Sequence, residues 1–247
     1  MKKDSKGLGL VIPKRIRVAG TTFYVRQGQV VGCPSKRGKK KWFTLAQLKQ
    51  RLKMRHSTAL WKMLKLCDVM FTERRNACQN FMSLANRQLP VVYVPDDGIM
   101  SHASFLMPNI PVSDGTLPMV KLELGEVDGM PALITDLKTW EEALYERFLF
   151  YTAVQSMEGN MPRVRFSMRE ISRSDMTAVD GHYVLMDEEF ADEMKGWALV
   201  HVINDRCSPQ GIVTRCTFYK RYTTDEALEI ATESYGGLTE LGFLSGE

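Results

Sequence analysis

Phe148-Leu149-Phe150-Tyr151-Thr152-Ala153-Val154-Gln155-Ser156 is followed by the turn pair Gly159-Asn160 and then by Arg163–Ser172. Two strand-length runs, rich in apolar, aromatic and β-branched residues and joined through a glycine turn, read as a β-hairpin. The same pattern recurs around it. Met119–Leu124 and Ala132–Leu137 flank Asp128-Gly129, the strongest short hairpin signal in the chain. His182–Met186, Trp197–Asn204 and Val213–Arg221 are further strand candidates. Short strands recurring about every 10–15 residues predict an antiparallel, sandwich-like body.

Upstream, Val91–Val94 reads as a short strand stopped by Pro95-Asp96-Asp97-Gly98. Residues 99–118 read as irregular, with Pro108, Pro111, Pro118 and a turn at Ser113-Asp114-Gly115. Thr139 is positioned to cap a short helical stretch over Trp140–Arg147, and Thr223-Thr224-Asp225-Glu226 opens a closing helix that ends at Gly236-Gly237.

The N-terminal third has a different grammar. Residues 15–32 read as a β-hairpin punctuated by Gly20 and Gly28, and Cys33–Lys41 as a loop. Thr44 with Gln47 three residues on is a capping-box signature, so a helix is expected to begin near Leu45. Apolar residues Leu45, Leu48, Leu52, Ala59, Leu60, Met63, Leu64, Cys67 and Met70 recur at helical spacing, with Arg51, Arg55, Lys62 and Lys65 on roughly the opposite side. Lys49 and Lys53 interrupt the apolar arc, which implies a bend near His56–Ser57 or two first turns outside the core. Thr72 is expected to cap a second helix reaching about Asn86, with Pro90 closing the helical region. The expected fold class is α+β: an N-terminal β-hairpin and two basic helices packed on an antiparallel β-rich body with a C-terminal helix. The expected division is residues 1–90 against residues 91–247.

Charge follows the same division. Residues 1–90 hold 21 Lys and Arg against three Asp and Glu, and residues 91–247 hold 12 against 26, so the overall formal charge of +4 conceals opposite halves. The densest basic run is Lys36, Arg37, Lys39, Lys40 and Lys41, with Trp42 beside it. Together with Arg51, Arg55, Lys62 and Lys65 these residues suit phosphate contacts, and Trp42 suits stacking or a cation–π contact. A solvated surface or a docking site for an acidic protein face is the competing reading.

Other chemistries find little support. His56, His102, His182 and His201 lack ligand spacing, so no metal is expected. Ser208, His201 and Asp205 lack the nucleophile-elbow motif. The acidic cluster Asp187-Glu188-Glu189 lacks a calcium loop's spacing, and neither nucleotide-binding glycine motif occurs, so no cofactor is expected. No apolar run has membrane-spanning length, and five unpaired-looking cysteines suit a reducing interior.

Several stretches resemble an uncharacterised protein family of Bacteroidetes genomes and their mobile elements. They are Phe23-Tyr24-Val25-Arg26 before the basic loop, Thr44-x-x-Gln47-x-x-x-Arg51, Asn76 with Phe81, the Val91–Val94 strand, Ser113-Asp114-Gly115-Thr116-Leu117-Pro118, and Ala227 with Ser234-Tyr235-Gly236. The resemblance implies an architecture and a bacterial or phage context, and carries no catalytic residues. The expectation is a non-enzymatic binding or assembly protein, in the bacterial cytoplasm or a virion. Its basic region would contact nucleic acid or an acidic protein surface. The alternative is a structural component of a phage-like particle, a homo-oligomer or larger assembly joined by charge-complementary subunits.

Overall fold

The computed structural model describes residues 16–18, 21–26, 29–34, 45–67, 69–71, 76–92, 103–138, 146–159 and 161–222. The chain divides into two compact units, Met1–Phe43 and Thr44–Glu247. In the first, β1 (Ile16–Val18), β2 (Thr21–Arg26) and β3 (Gln29–Pro34) form an antiparallel meander. Three strands thus stand where a hairpin was expected.

The second unit begins with α1 (Leu45–Leu64), β4 (Met70–Phe71) and α2 (Ala77–Gln88). Strands β5 (Pro111–Asp114), β6 (Leu122–Val127), β7 (Met130–Thr135), β8 (Glu146–Glu158) and β9 (Met161–Ile171) follow. The series closes with β10 (Thr177–Val179), β11 (His182–Met186), β12 (Lys195–Ile203), β13 (Arg206–Cys207), β14 (Gln210–Gly211) and β15 (Val213–Thr214).

The central sheet runs β13-β12-β8-β9, with β15 also paired to β12, and a second sheet runs β10-β11-β7-β6. Both are antiparallel. Alternation along β8 explains its continuous apolar run, because each face enters a different core. Leu149, Tyr151 and Ala153 join Ala198, Val200, Val164, Leu60, Leu64 and Phe81 in a core shared with the helices. Phe148 and Phe150 join Trp197, Leu199, Leu133, Tyr183 and Leu185 in a core shared with the second sheet. Helices, central sheet and second sheet therefore form three layers, and the helical segment packs in the same unit as the β body.

α1 starts at Leu45 and runs unbroken to Leu64, so the expected helical series stops short of Cys67 and Met70, and Met70 pairs in β4 instead. Residues 46, 47, 49 and 50 are exposed and Leu52 is buried, so the early turns extend beyond the core, which accounts for Lys49. The second helix begins later than expected. Asn76 Oδ1 accepts the Cys78 N–H at 2.9 Å and makes Asn76 the cap, while Thr72 lies outside the described residues. Its end matches the expected stop: Leu89, before Pro90, takes ψ 144. At Asp128-Gly129 both residues have positive φ, 52 and 79, as the tight hairpin turn requires.

Other expectations are corrected. Ser113-Asp114 lies in strand β5, which pairs in parallel with β4, because the pairing partner comes from a distant segment. Of Val213–Arg221 only Val213–Thr214 is strand, and Phe218–Tyr222 is a 3-10 turn in which Arg221 Cζ lies 5.6 Å over the Phe218 ring. Val91 and Val92 have no strand pairing. Residues 93–94, residues 139–145 of the expected Trp140–Arg147 helical stretch and the closing helix at 223–237 fall outside the described residues, while Glu146 and Arg147 are strand, paired in β8 with Ile203 and Val202.

Two buried polar side chains fasten residues 103–107 to this body. His56 on α1 accepts the Phe105 N–H at Nε2, 3.1 Å away, and its ring stacks on Phe105. Gln155 accepts the Leu106 N–H at 2.7 Å and donates to the carbonyls of Ser104 and Arg163.

Candidate nucleic-acid interface

Lys36, Arg37, Lys39, Lys40, Lys41 and Trp42 lie outside the described residues. The α1 cations do not. Arg51, Lys62 and Lys65 are exposed and Arg55 is half-buried. α2 fixes the orientation of α1. Lys53 Nζ donates to the Asn86 carbonyl at 3.2 Å, Asn86 Nδ2 meets Met54 Sδ at 3.1 Å, and the Trp61 and Phe81 rings lie 5.4 Å apart. At 100° per residue, Arg51, Arg55 and Lys62 fall on the flank away from these contacts.

α1 packs against β9 and α2 against β4 and β5, and β9 is the terminal strand of the central sheet. Val164 is buried, and Phe166 and Met168 pack partly buried against the helix-side core. The alternating residues Arg163, Arg165 and Arg169 therefore face the opposite side of the sheet. Arg165 and Arg169 are exposed, and the Arg169 guanidinium sits 5.2 Å over the Phe150 ring. Basic side chains thus sit on both α1 and β9, which pack together, with those of β9 on the face turned away from α1.

One carboxylate tempers the strand's charge. Glu158 bonds Arg165 at 2.7 Å and Arg163 at 2.9 Å. The Arg165 hydrogen bond, with the positive charge of both arginines, holds the Glu158 carboxyl below its ordinary value. Three arginines and one glutamate leave a net positive row. β9 also carries the exposed Glu170, and the exposed carboxylates Glu123, Glu126, Asp128 and Asp136 belong to the second sheet and its turns, which pack on the Phe150 face of the central sheet.

The arginine row was missed in the sequence because the average charge of residues 91–247 is acidic. The signal was present as Arg at 163, 165 and 169 alternating with Val164, Phe166 and Met168.

A second polar feature was also missed. His201 Nε2 and Glu146 Oε1 lie 2.5 Å apart, and the imidazole stacks on Phe148 with centroids 4.6 Å apart. Glu146 borders an open cleft of about 380 Å³ lined also by Arg147, Glu170, Ser172, Arg173 and Asp175. Hydrogen bonds from the Ser172 backbone and hydroxyl keep the Asp175 carboxyl below its usual range. Carboxylates and guanidiniums alternate here, so the cleft concentrates no single sign of charge. Nor does Ser208 complete a triad: it is buried, and its Oγ accepts the His201 backbone N–H at 3.0 Å. Among the described residues no group of three or more His, Cys, Asp or Glu is placed to hold a metal ion, and no helix is long and apolar enough to cross a membrane.

Comparison with protein-family models, with curated proteins and with solved structures returns no match.

Proposed function

We propose that this protein binds nucleic acid through its phosphates, without catalysing a reaction on it. One observation carries the reading: α1, with Arg51, Arg55 and Lys62, packs against the edge strand β9, which carries Arg163, Arg165 and Arg169. Such an arrangement supplies charge and reach without reading bases, so binding is governed by counterion release. The run Lys36–Lys41 with Trp42 joins the proposal on its chemistry alone. The family resemblance sets this activity in a bacterial or phage context.

Five phosphates engaged by these cations would correspond to a slope of log affinity on log salt of about −4.5 for a duplex. Protein freed of nucleic acid is titrated against labelled random-sequence DNA between about 50 and 200 mM salt, where affinity should fall several hundred-fold. The double variant Arg51→Glu, Lys62→Glu should show a visibly shallower slope. Absence of binding at the lowest salt overturns the reading, and concentration-dependent assembly that dissolves in salt would then favour charge-complementary subunit contacts.

A further inference from the structure

We infer that the outer edge of β9 is a self-association site, where a second copy of this chain adds its own β9 antiparallel across a two-fold axis at Met168. β9 ends the central sheet and, among the described strands, pairs with β8 alone. Gln155 donates its N–H to the Met194 carbonyl, so its backbone bonds away from β9. Val164, opposite Gln155 in register, therefore turns its own N–H and carbonyl away from β8. By alternation Phe166, Met168 and Glu170 turn theirs outward too.

The chain closes both ends of this edge itself and leaves the middle open. At one end Ser104 donates its N–H to the Pro162 carbonyl at 2.9 Å, and its Oγ accepts the Val164 N–H at 2.9 Å. At the other the Asp175 carboxylate accepts the Ser172 N–H at 2.7 Å. Between them, no backbone partner meets the outward groups of Phe166, Met168 or Glu170 among the described residues. The open stretch is about 13 Å long at roughly 3.3 Å per residue, with Met168 at its midpoint. α1 packs on a face of β9, whereas an added strand joins in the plane of the sheet.

An open row of N–H and carbonyl groups is a template for another strand, and exposed charges are a common guard against one. Here the charges select a register. With the axis at Met168, Phe166 faces Glu170 of the second copy, Met168 faces Met168, and Glu170 faces Phe166, each pair exchanging about two backbone bonds. On the other face Ser167 meets Arg169 and Arg165 meets Ile171, so no like charges stand directly opposite. Shifting the axis to Ser167 sets Arg165 against Arg169, and shifting it to Arg169 sets that residue against itself. Glu158, bonded to Arg165 at 2.7 Å, and Asp175, beside Arg169, moderate the remaining diagonal repulsion. Phe166 and Met168, half-buried on the helix-side core, gain cover from the added strand.

The test is sedimentation velocity on the full chain, freed of nucleic acid, across a wide dilution series at about 100 and about 500 mM salt. Wild type should pass from monomer to dimer with rising concentration at both salts, because backbone bonds and apolar contacts hold the pair. Ser167→Glu sets a carboxylate opposite Arg169 twice per dimer and should tighten association about fivefold, while Ser167→Arg should weaken it about as much. Glu170→Pro removes an outward N–H without touching the β8 ladder, so it should abolish the dimer and leave the monomer's circular dichroism unchanged. The exposed Ser167 substitutions decide the matter should proline disturb the fold. Weakening by both Ser167 substitutions would move the axis to Ser167 and overturn the register. A monomer at every concentration, an association that dissolves at the higher salt, or one indifferent to the charge at position 167 overturns the proposal.

Discussion

Replacing His56 with glutamine should remove a specific part of the protein's acid sensitivity. The His56 side chain is buried at 1% exposure and uses Nε2 as an acceptor for the Phe105 N–H, so the folded state needs a neutral imidazole. Burial lowers its pKa from 6.5 to about 4. Between those values the unfolded chain binds the extra proton and the folded chain does not. Stability is therefore full above the unfolded value, declines as pH falls through this window and is lost in full below the folded value. Linkage makes the loss roughly 2 kcal/mol by pH 5 and roughly 3 kcal/mol below the folded pKa. Glutamine preserves an acceptor but does not titrate. The assay is urea denaturation followed by tryptophan fluorescence from about pH 7.5 to 4.5 for both proteins, read as their difference so that other titrating groups cancel. The wild type should lose its advantage progressively as pH falls. Parallel stability curves across the whole range would refute the reasoning.

Two further substitutions probe how the body is fastened. Gln155→Leu leaves the Leu106 N–H and the Ser104 and Arg163 carbonyls without their buried partner, so it should destabilise by about 2–5 kcal/mol in chemical denaturation. A loss under about 1 kcal/mol would show that water or relaxation replaces the amide. Gly115→Ala would place a Cβ 1.8 Å from the Cys207 carbonyl oxygen, whereas Gly159→Ala meets open space at a φ of 64. The first should cost several kcal/mol and the second about 1–2 kcal/mol, and a thermal melt showing the reverse order would contradict the placement of the Cys207 backbone.

Local structure was readable from residues near one another in the chain. The Asp128-Gly129 and Gly159 hairpins, the α1 start at Leu45 and the stop before Pro90 depend on turn chemistry, capping and steric rules acting over a few positions. What escaped was set by distant partners. Pro111–Asp114 carries turn-forming residues yet becomes a strand because Met70–Phe71 and Gln210–Gly211 supply its ladders. The basic residues of α1 were legible from helical period, but the arginines of β9 were hidden by the acidic average around them.

The sequence by itself determined the hairpins at Asp128-Gly129 and Gly159, the start of α1 and the distribution of charge, since each is written in a short window. Tertiary structure alone decided that Leu149 and Tyr151 meet the helices while Phe148 and Phe150 meet the second sheet. It also decided that α1 packs against β9, two elements remote in sequence that each carry arginines. The physical reason is that burial joins whichever apolar faces fit, and that choice depends on contacts remote in the chain.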